Sequence, residues 1–149
     1  MAHSEPLPPL LFARVRVLET SDDWHYARAV LHRRWCNRNY VGTPFVGSLF
    51  AMTDPFWMIL TLRCLGSEYI VWDKAAEIEF VAPGRADVYA EFRIDEAMLA
   101  EIRAATAGGE KALHWCTTEV RTGSGELIAR VRKQLYVRRK RSEGTTSVG

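Results

Sequence analysis

The sequence predicts an α+β domain in which one mostly antiparallel sheet wraps around a single central apolar helix. Three observations carry this: an unbroken apolar segment, alternating runs on either side of it, and tight-turn residues between those runs. The apolar segment is VGSLFAMTDPFWMILTLRCL, Val46 to Leu65, whose charges are Asp54 in the middle and Arg63 near the end. A helix that is hydrophobic all round belongs in a protein core or a bilayer. At about 30 Å it is nominally long enough to span a membrane. Asp54, Pro55 and the strand-rich remainder favour a core helix instead.

Ahead of the helix, ARVRVLE (13–19) and HYARAVLHRRW (25–35) flank the turn-like TSDD (20–23) and predict a hairpin. Ala27, Ala29 and Leu31 share a face whose small residues let a bulky helix lie close. The polar loop CNRNYVGTP (36–44) leads into the helix, with Thr43 and Pro44 just outside its start and Gly66 and Ser67 closing it. Pro55 removes a helix N–H and clashes one turn back, so a kink is expected beside Asp54.

After the helix, IVWDKAAEIEFVAP (70–83) places Ala76, Ile78 and Phe80 on one face and Glu77, Glu79 and Val81 on the other. Within it, Trp72, Asp73 and Lys74 interrupt an apolar strand and suggest a bulge or a dimer contact, with an active-site role as the alternative. Pro83-Gly84-Arg85 turns into ADVYAEFRI (86–94). Asp95 caps a short amphipathic helix over 96–107, stopped by Gly108 and Gly109. Strands over 111–121 and 126–139, joined by Thr122-Gly123-Ser124-Gly125, complete the sheet, and SEGTTSVG (142–149) reads as a disordered tail. Open edge strands need cover, so a homodimer or a dimer of dimers is expected.

With 149 residues, 48% hydrophobic and 26% charged, the chain suits one domain over 1–149 with an ordered core over about 13–138. A net charge of +2 falls short of the excess a dedicated nucleic-acid binder needs. The run Arg130–Arg141 holds seven basic residues and no acid, read first as a solvated strand face with a basic tail. Together with Trp115 and Tyr136 it gives a weaker reading as a single-strand nucleic-acid surface. Cys36, Cys64 and Cys116 are too scattered for a disulfide framework, and neither they nor the four histidines have metal spacing. MAHSEPLPPLLFAR has no basic leader, so cytoplasmic residence without membrane attachment is the expectation.

Asn39-Tyr-Val-Gly42-Thr43-Pro-Phe-Val-Gly47-Ser-Leu-Phe-Ala-Met-Thr-Asp54 resembles the loop and helix of hotdog-fold acyl-CoA thioesterases of the phenylacetate-pathway type. The likeness extends from about residue 13 to 138 and points to an uncharacterised thioesterase-like branch. It implies a hotdog fold, an acyl-CoA substrate and no cofactor beyond the coenzyme A that the substrate carries. It also places Asn39 and Asp54 at the family's polar active-site positions, and Val46 and Gly47 where two glycines open the helix. Phe45 stands where better-studied members have histidine, which disfavours a dehydratase, and Val46 replaces a glycine.

Val46 and Asp54 are eight positions apart, about 12 Å along a helix, so one helix cannot bring both to the same carbonyl. Two antiparallel helices from two copies can. Backbone N–H groups of Val46 and Gly47 would then hold the thioester oxyanion, and the partner copy's acid, equivalent to Asp54, would activate water as general base. Asn39 would orient that water, and Arg130, Arg132, Lys133 and Arg138 are the candidates for holding the phosphates of coenzyme A. Each has a plainer reading: Asp54 as a buried acid that bonds a loop or pairs with Arg or Lys across the dimer, Asn39 and Gly47 as turn and packing residues, and Phe50, Phe56, Trp57 and Met58 as core. A non-catalytic acyl-CoA or fatty-acyl binding module is the alternative to hydrolysis.

Overall fold

In the computed structural model the described residues are 15–32, 43–83 and 86–141, with the side chains of 43–46 left aside. Six strands form one antiparallel sheet: β1 (Val15–Thr20), β2 (Tyr26–Leu31), β3 (Tyr69–Phe80), β4 (Val88–Arg93), β5 (Ala112–Thr122) and β6 (Leu127–Arg139). Their spatial order is β1-β2-β4-β5-β6-β3, which leaves β1 and β3 at the edges. The tail expected at 142–149 lies outside the described residues.

The apolar segment folds as two helices rather than one. They are α1 (Thr43–Thr53) and α2 (Phe56–Leu65), and the break falls at Asp54 and Pro55. Proline supplies no N–H for the carbonyl of Ala51 and crowds the preceding turn, so the helix ends where the sequence puts the kink. Its start lies earlier than expected, at Thr43. Gly66 ends α2 with φ 97° while its N–H bonds the carbonyl of Leu62 at 2.9 Å. The third helix, α3 (Glu96–Thr106), opens on Asp95, whose side chain accepts from the N–H of Met98 at 2.7 Å, as the capping pattern requires.

One face of the sheet packs on α1 and α2. Ala27, Ala29 and Leu31 of β2 pair with Phe92, Ala90 and Val88 of β4, and all six are buried. Small Ala29 and Ala90 leave depth for large helix side chains. Phe56 stacks on Phe92 at 4.6 Å and Trp57 meets the same ring edge-on at 5.0 Å, so both residues of the first turn of α2 dock on one aromatic.

Helical apolarity is not fully used within one chain. Leu49, Met52, Trp57 and Leu60 are buried, whereas Phe50, expected in the core, and Leu62 are exposed. The same holds on β3, where Ala76 and Phe80 share the inner face of the sheet yet stay exposed at the open edge. An apolar surface therefore runs along the solvent side of the helices and the inner side of the edge strand.

Candidate functional site

Register and parity decide what lies under the helix break. Along β6, Ala129, Val131, Leu135 and Val137 face inward and are buried, and Lys133 takes the inward position between Val131 and Leu135. A lysine on a core face must bring its charge to an acceptor. Its ammonium donates to three: the backbone carbonyl of Asp54 at 2.7 Å, Oδ1 of Asp54 at 2.6 Å, and Oδ2 of Asp73 at 3.0 Å. Three donors meet three acceptors, and the Lys133 side chain is only 1% exposed.

Asp73 reaches this point because β3 is irregular there. Its pairing with β6 slips between Asp73 and Ala75, making Lys74 the extra residue of a bulge, the plainer of the readings that the Trp72-Asp73-Lys74 stretch suggested. Burial pushes the Asp73 carboxyl above the ordinary carboxylate value, against the opposing pull of the hydrogen bond from Lys133. Its Oδ1 is buried and has no hydrogen-bond partner among the described residues. Cys116 pairs with Lys133 across β5 and β6, and burial, reinforced by the charge of Asp73, pushes its thiol up to about 12.

Asp54 is not the sunken acid its apolar neighbours suggest. Its side chain is 68% exposed: one carboxylate oxygen and the backbone carbonyl both meet the Lys133 ammonium, and the rest of the group is open to solvent. Oδ1 rests on a sealed cation, and the carboxylate as a whole remains open to water. The charged partner that the plainer reading looked for across a dimer is supplied by the chain itself.

Val46 and Gly47 lie inside the first turns of α1, since the helix begins at Thr43. The first four amides of a helix, counted from the residue before its first turn, lack an intrahelical acceptor, a set that ends at Phe45 and leaves the N–H groups of both Val46 and Gly47 committed to the helix. Gly47 is exposed, and a side-chain carbon there would meet nothing within 4 Å. The packing of this chain therefore does not require glycine. Asn39 lies outside the described residues.

The four basic candidates for coenzyme A separate by parity. Arg130, Arg132 and Arg138 project from the outer face, opposite Lys133. Arg132 lies 3.1 Å from Glu77 and over the Trp115 ring at 4.6 Å; Arg130 lies 3.5 Å from Glu79 and 3.7 Å from Glu119. Arg138 lies beside Tyr136, whose ring stacks on Trp72 at 4.1 Å, and its own buried Nε has no hydrogen-bond partner among the described residues. Lys133 faces the other way, with its 1%-exposed ammonium engaged by Asp54 and Asp73 rather than presented beside the arginines. Sequence alternation was the signal that separates it from its neighbours.

A cleft of about 540 Å³ opens elsewhere, where β4 and β5 pair only at Val88–Thr122 and Tyr89–Arg121 and then diverge. It is lined by Arg28, Tyr89, Glu91, Arg93 and Arg121 among others, and by none of the predicted site residues.

The chain matches the family described as Domain of unknown function (DUF4442) over residues 2–137. No curated protein matches it. Among solved structures it is similar to PA5026 of Pseudomonas aeruginosa, described as a protein of unknown function and probable thioesterase. That likeness has a TM-score of 0.74 and 20% identity over 91% of this chain and 98% of the other. The thioesterase HI1161 of Haemophilus influenzae gives 0.60 and 13%, covering 87% and 82%. The PaaI protein from the phenylacetic acid degradation operon of E. coli gives 0.56 and 14%, covering 86% and 80%. With the family matched over most of its length and the wrapped sheet shared with these structures, the chain belongs to the DUF4442 family and has the hotdog fold.

Proposed function

We propose that the chain hydrolyses an acyl-CoA thioester, with Asp54 as general base, at a site completed by a second copy. The observation that carries this reading is the water-accessible carboxylate at the helix break, held from beneath by Lys133 and bordered by uncovered apolar helix surface. A thioester needs a base for water, donors for its carbonyl oxygen and an apolar wall for its acyl chain. The break supplies the first, and exposed Phe50 and Leu62 contribute to the third. The likeness to thioesterase structures supports the same reaction class.

In the proposed step Asp54 takes a proton from water as its oxygen attacks the thioester carbon. The tetrahedral oxyanion then collapses, the carbon–sulfur bond breaks, and the proton passes to the departing thiolate of coenzyme A. Within one chain Val46 and Asp54 stand at opposite ends of α1, about 12 Å apart. The N-terminal end of one α1, where Val46 and Gly47 sit, therefore faces the oxyanion generated by the acid of the second copy and stabilises it through the positive end of the helix. Asn39, in the segment before α1, is the proposed group that orients water.

The test is thiol release from a panel of aliphatic and aromatic acyl-CoAs by the wild-type chain and by Asp54→Asn. Turnover falls at least about a hundredfold in the variant, with an unchanged circular dichroism spectrum. A variant as fast as wild type removes Asp54 from the mechanism. Saturable binding of acyl-CoA without thiol release by the wild-type chain replaces hydrolysis with the binding-module reading.

A further inference from the structure

We propose that Lys133 is the positioning residue of the site: its ammonium, sealed beneath the break between α1 and α2, fixes Asp54 by carbonyl and carboxylate together, and Asp73 anchors the ammonium in turn. This rests on the reading of Asp54 as the base. No sequence motif quoted above includes Lys133 or Asp73 as a pair, and neither touches substrate in the reaction as written.

The argument begins with where a side chain on the outer surface of a helix break would go by itself. Asp54 is followed by a proline, lies at the end of α1 and is largely exposed, so nothing in α1 or α2 selects one rotamer for it. Lys133 selects one. Contacts at 2.7 Å to the carbonyl and 2.6 Å to Oδ1 of the same residue close a ring through Cα and Cβ, which fixes the carboxylate relative to the backbone. The bond to the carbonyl also places a cation at the C-terminal end of α1, where the helix dipole favours it.

Asp73 completes the device from the other side. The ammonium has three hydrogens, and the third goes to Asp73 at 3.0 Å, so Lys133 cannot swing out to follow a mobile Asp54. The charged and titratable groups facing it are Asp54 at the helix break, Asp73 from β3 and Cys116 from β5, with Val131 and Leu135 on either side along β6. Two carboxylates share one cation, so Asp54 is steered without being wholly neutralised. A base that must accept a proton needs that arrangement more than a lone ion pair.

A purely structural role for Lys133, capping α1, would change stability and leave the rate per folded molecule alone. The experiment therefore measures kcat and KM of Lys133→Met in the wild-type and Asp54→Asn backgrounds, with the Hα–Hβ three-bond couplings of Asp54 read by NMR in the chain with and without Lys133. Positioning predicts a fall in kcat of about a hundredfold with KM little changed, no further fall when Asp54 is already Asn, and couplings that pass from a single rotamer to an average. Asp73→Asn gives the same pattern with a smaller drop. If Lys133→Met does not fold, Lys133→Met/Asp73→Asn, which removes the buried cation and its anchor together, carries the same comparison. A slow Asp54→Asn beside a Lys133→Met with normal kcat and single-rotamer couplings overturns positioning and leaves the base intact. An Asp54→Asn as fast as wild type overturns the reading of the base itself. Single-rotamer Asp54 couplings without Lys133 overturn the proposal whether or not any acyl-CoA is turned over.

Discussion

Asp73 shows how one side chain can act both on the site and on the stability of the fold. It lies on the core face, 22% exposed, next to a cation it shares with Asp54. Burial is the largest influence on it and raises its folded value, so the sign of its linkage is set. An acid raised on folding favours the folded state below its ordinary value, and that contribution is lost as pH climbs through the folded value. Asp73→Asn has no such titration. The melting temperature of Asp73→Asn minus that of wild type should therefore move in the variant's favour between about pH 3.5 and pH 7. Movement the other way would mean that Lys133 outweighs burial. At this scale the sequence made Asp54 conspicuous and hid its partners. Lys133 sits in a run of arginines that share its charge, although strand parity puts it with Val131 and Leu135. Asp73 was hidden further, because a bulge shifts parity and nothing in Trp72-Asp73-Lys74 gives the sense of that shift. The exposure of Asp54 was illegible for a related reason. Local composition reports apolar neighbours, whereas solvent access follows from which way a helix break turns.

Elements were more legible than residues, since turn and cap chemistry is written locally. The hairpin around TSDD, the Asp95 cap and the kink at Pro55 all stand where their residues require. The joint between the first hairpin and α3 is long-range, and it is where pH acts on elements. His25, at the start of β2, has Nδ1 2.9 Å from the carbonyl of Asp23 and Nε2 2.8 Å from Glu96 in the first turn of α3. Two acceptors, one at each ring nitrogen, suit an imidazole that carries both protons. The Asp23 carbonyl first, and Glu96 after it, hold the His25 pKa above its ordinary value, against its partial burial. A histidine raised on folding stabilises the fold fully below about 6.5, and that contribution disappears as pH rises through the folded value. Chemical denaturation between pH 6 and pH 8 should therefore show the wild-type chain losing stability as pH rises, with a smaller loss in Glu96→Gln and none from this source in His25→Gln. Equal slopes in all three chains would remove the joint from the pH response.

At the scale of the whole molecule, what the single chain leaves uncovered is as informative as what it buries. The sheet ends on β3, whose inward-facing Ala76 and Phe80 are exposed, Phe80 at 48%, and beside it the helices leave Phe50 and Leu62 in solvent. These surfaces are apolar and continue an unpaired strand edge, the arrangement that natural sheets cover or blunt. Charges do guard the outer face of β3, where Glu77 and Glu79 meet Arg132 and Arg130, whereas the exposed inner positions Ala76 and Phe80 carry none. A second copy related by a two-fold axis through the β3 edge would extend the sheet and cover Phe80. The same association is what the proposed reaction needs, because one α1 cannot offer Val46 and Asp54 to a single carbonyl. Assembly and turnover should therefore fail together. Phe80→Lys places a cation on the uncovered inner face without touching Asp54 or Lys133, since Phe80 pairs with Ala129 whereas Ala76 is the cross-strand neighbour of Lys133 itself. Sedimentation velocity at micromolar concentration should show the wild-type chain at a multiple of its monomer mass and this variant at the monomer mass. Thiol release by the variant should be lost in proportion, and its far-ultraviolet circular dichroism retained. A wild-type chain that sediments as a monomer while hydrolysing acyl-CoA would mean that one copy suffices, and the oxyanion donors would then have to be sought nearer to Asp54 than the start of its own helix.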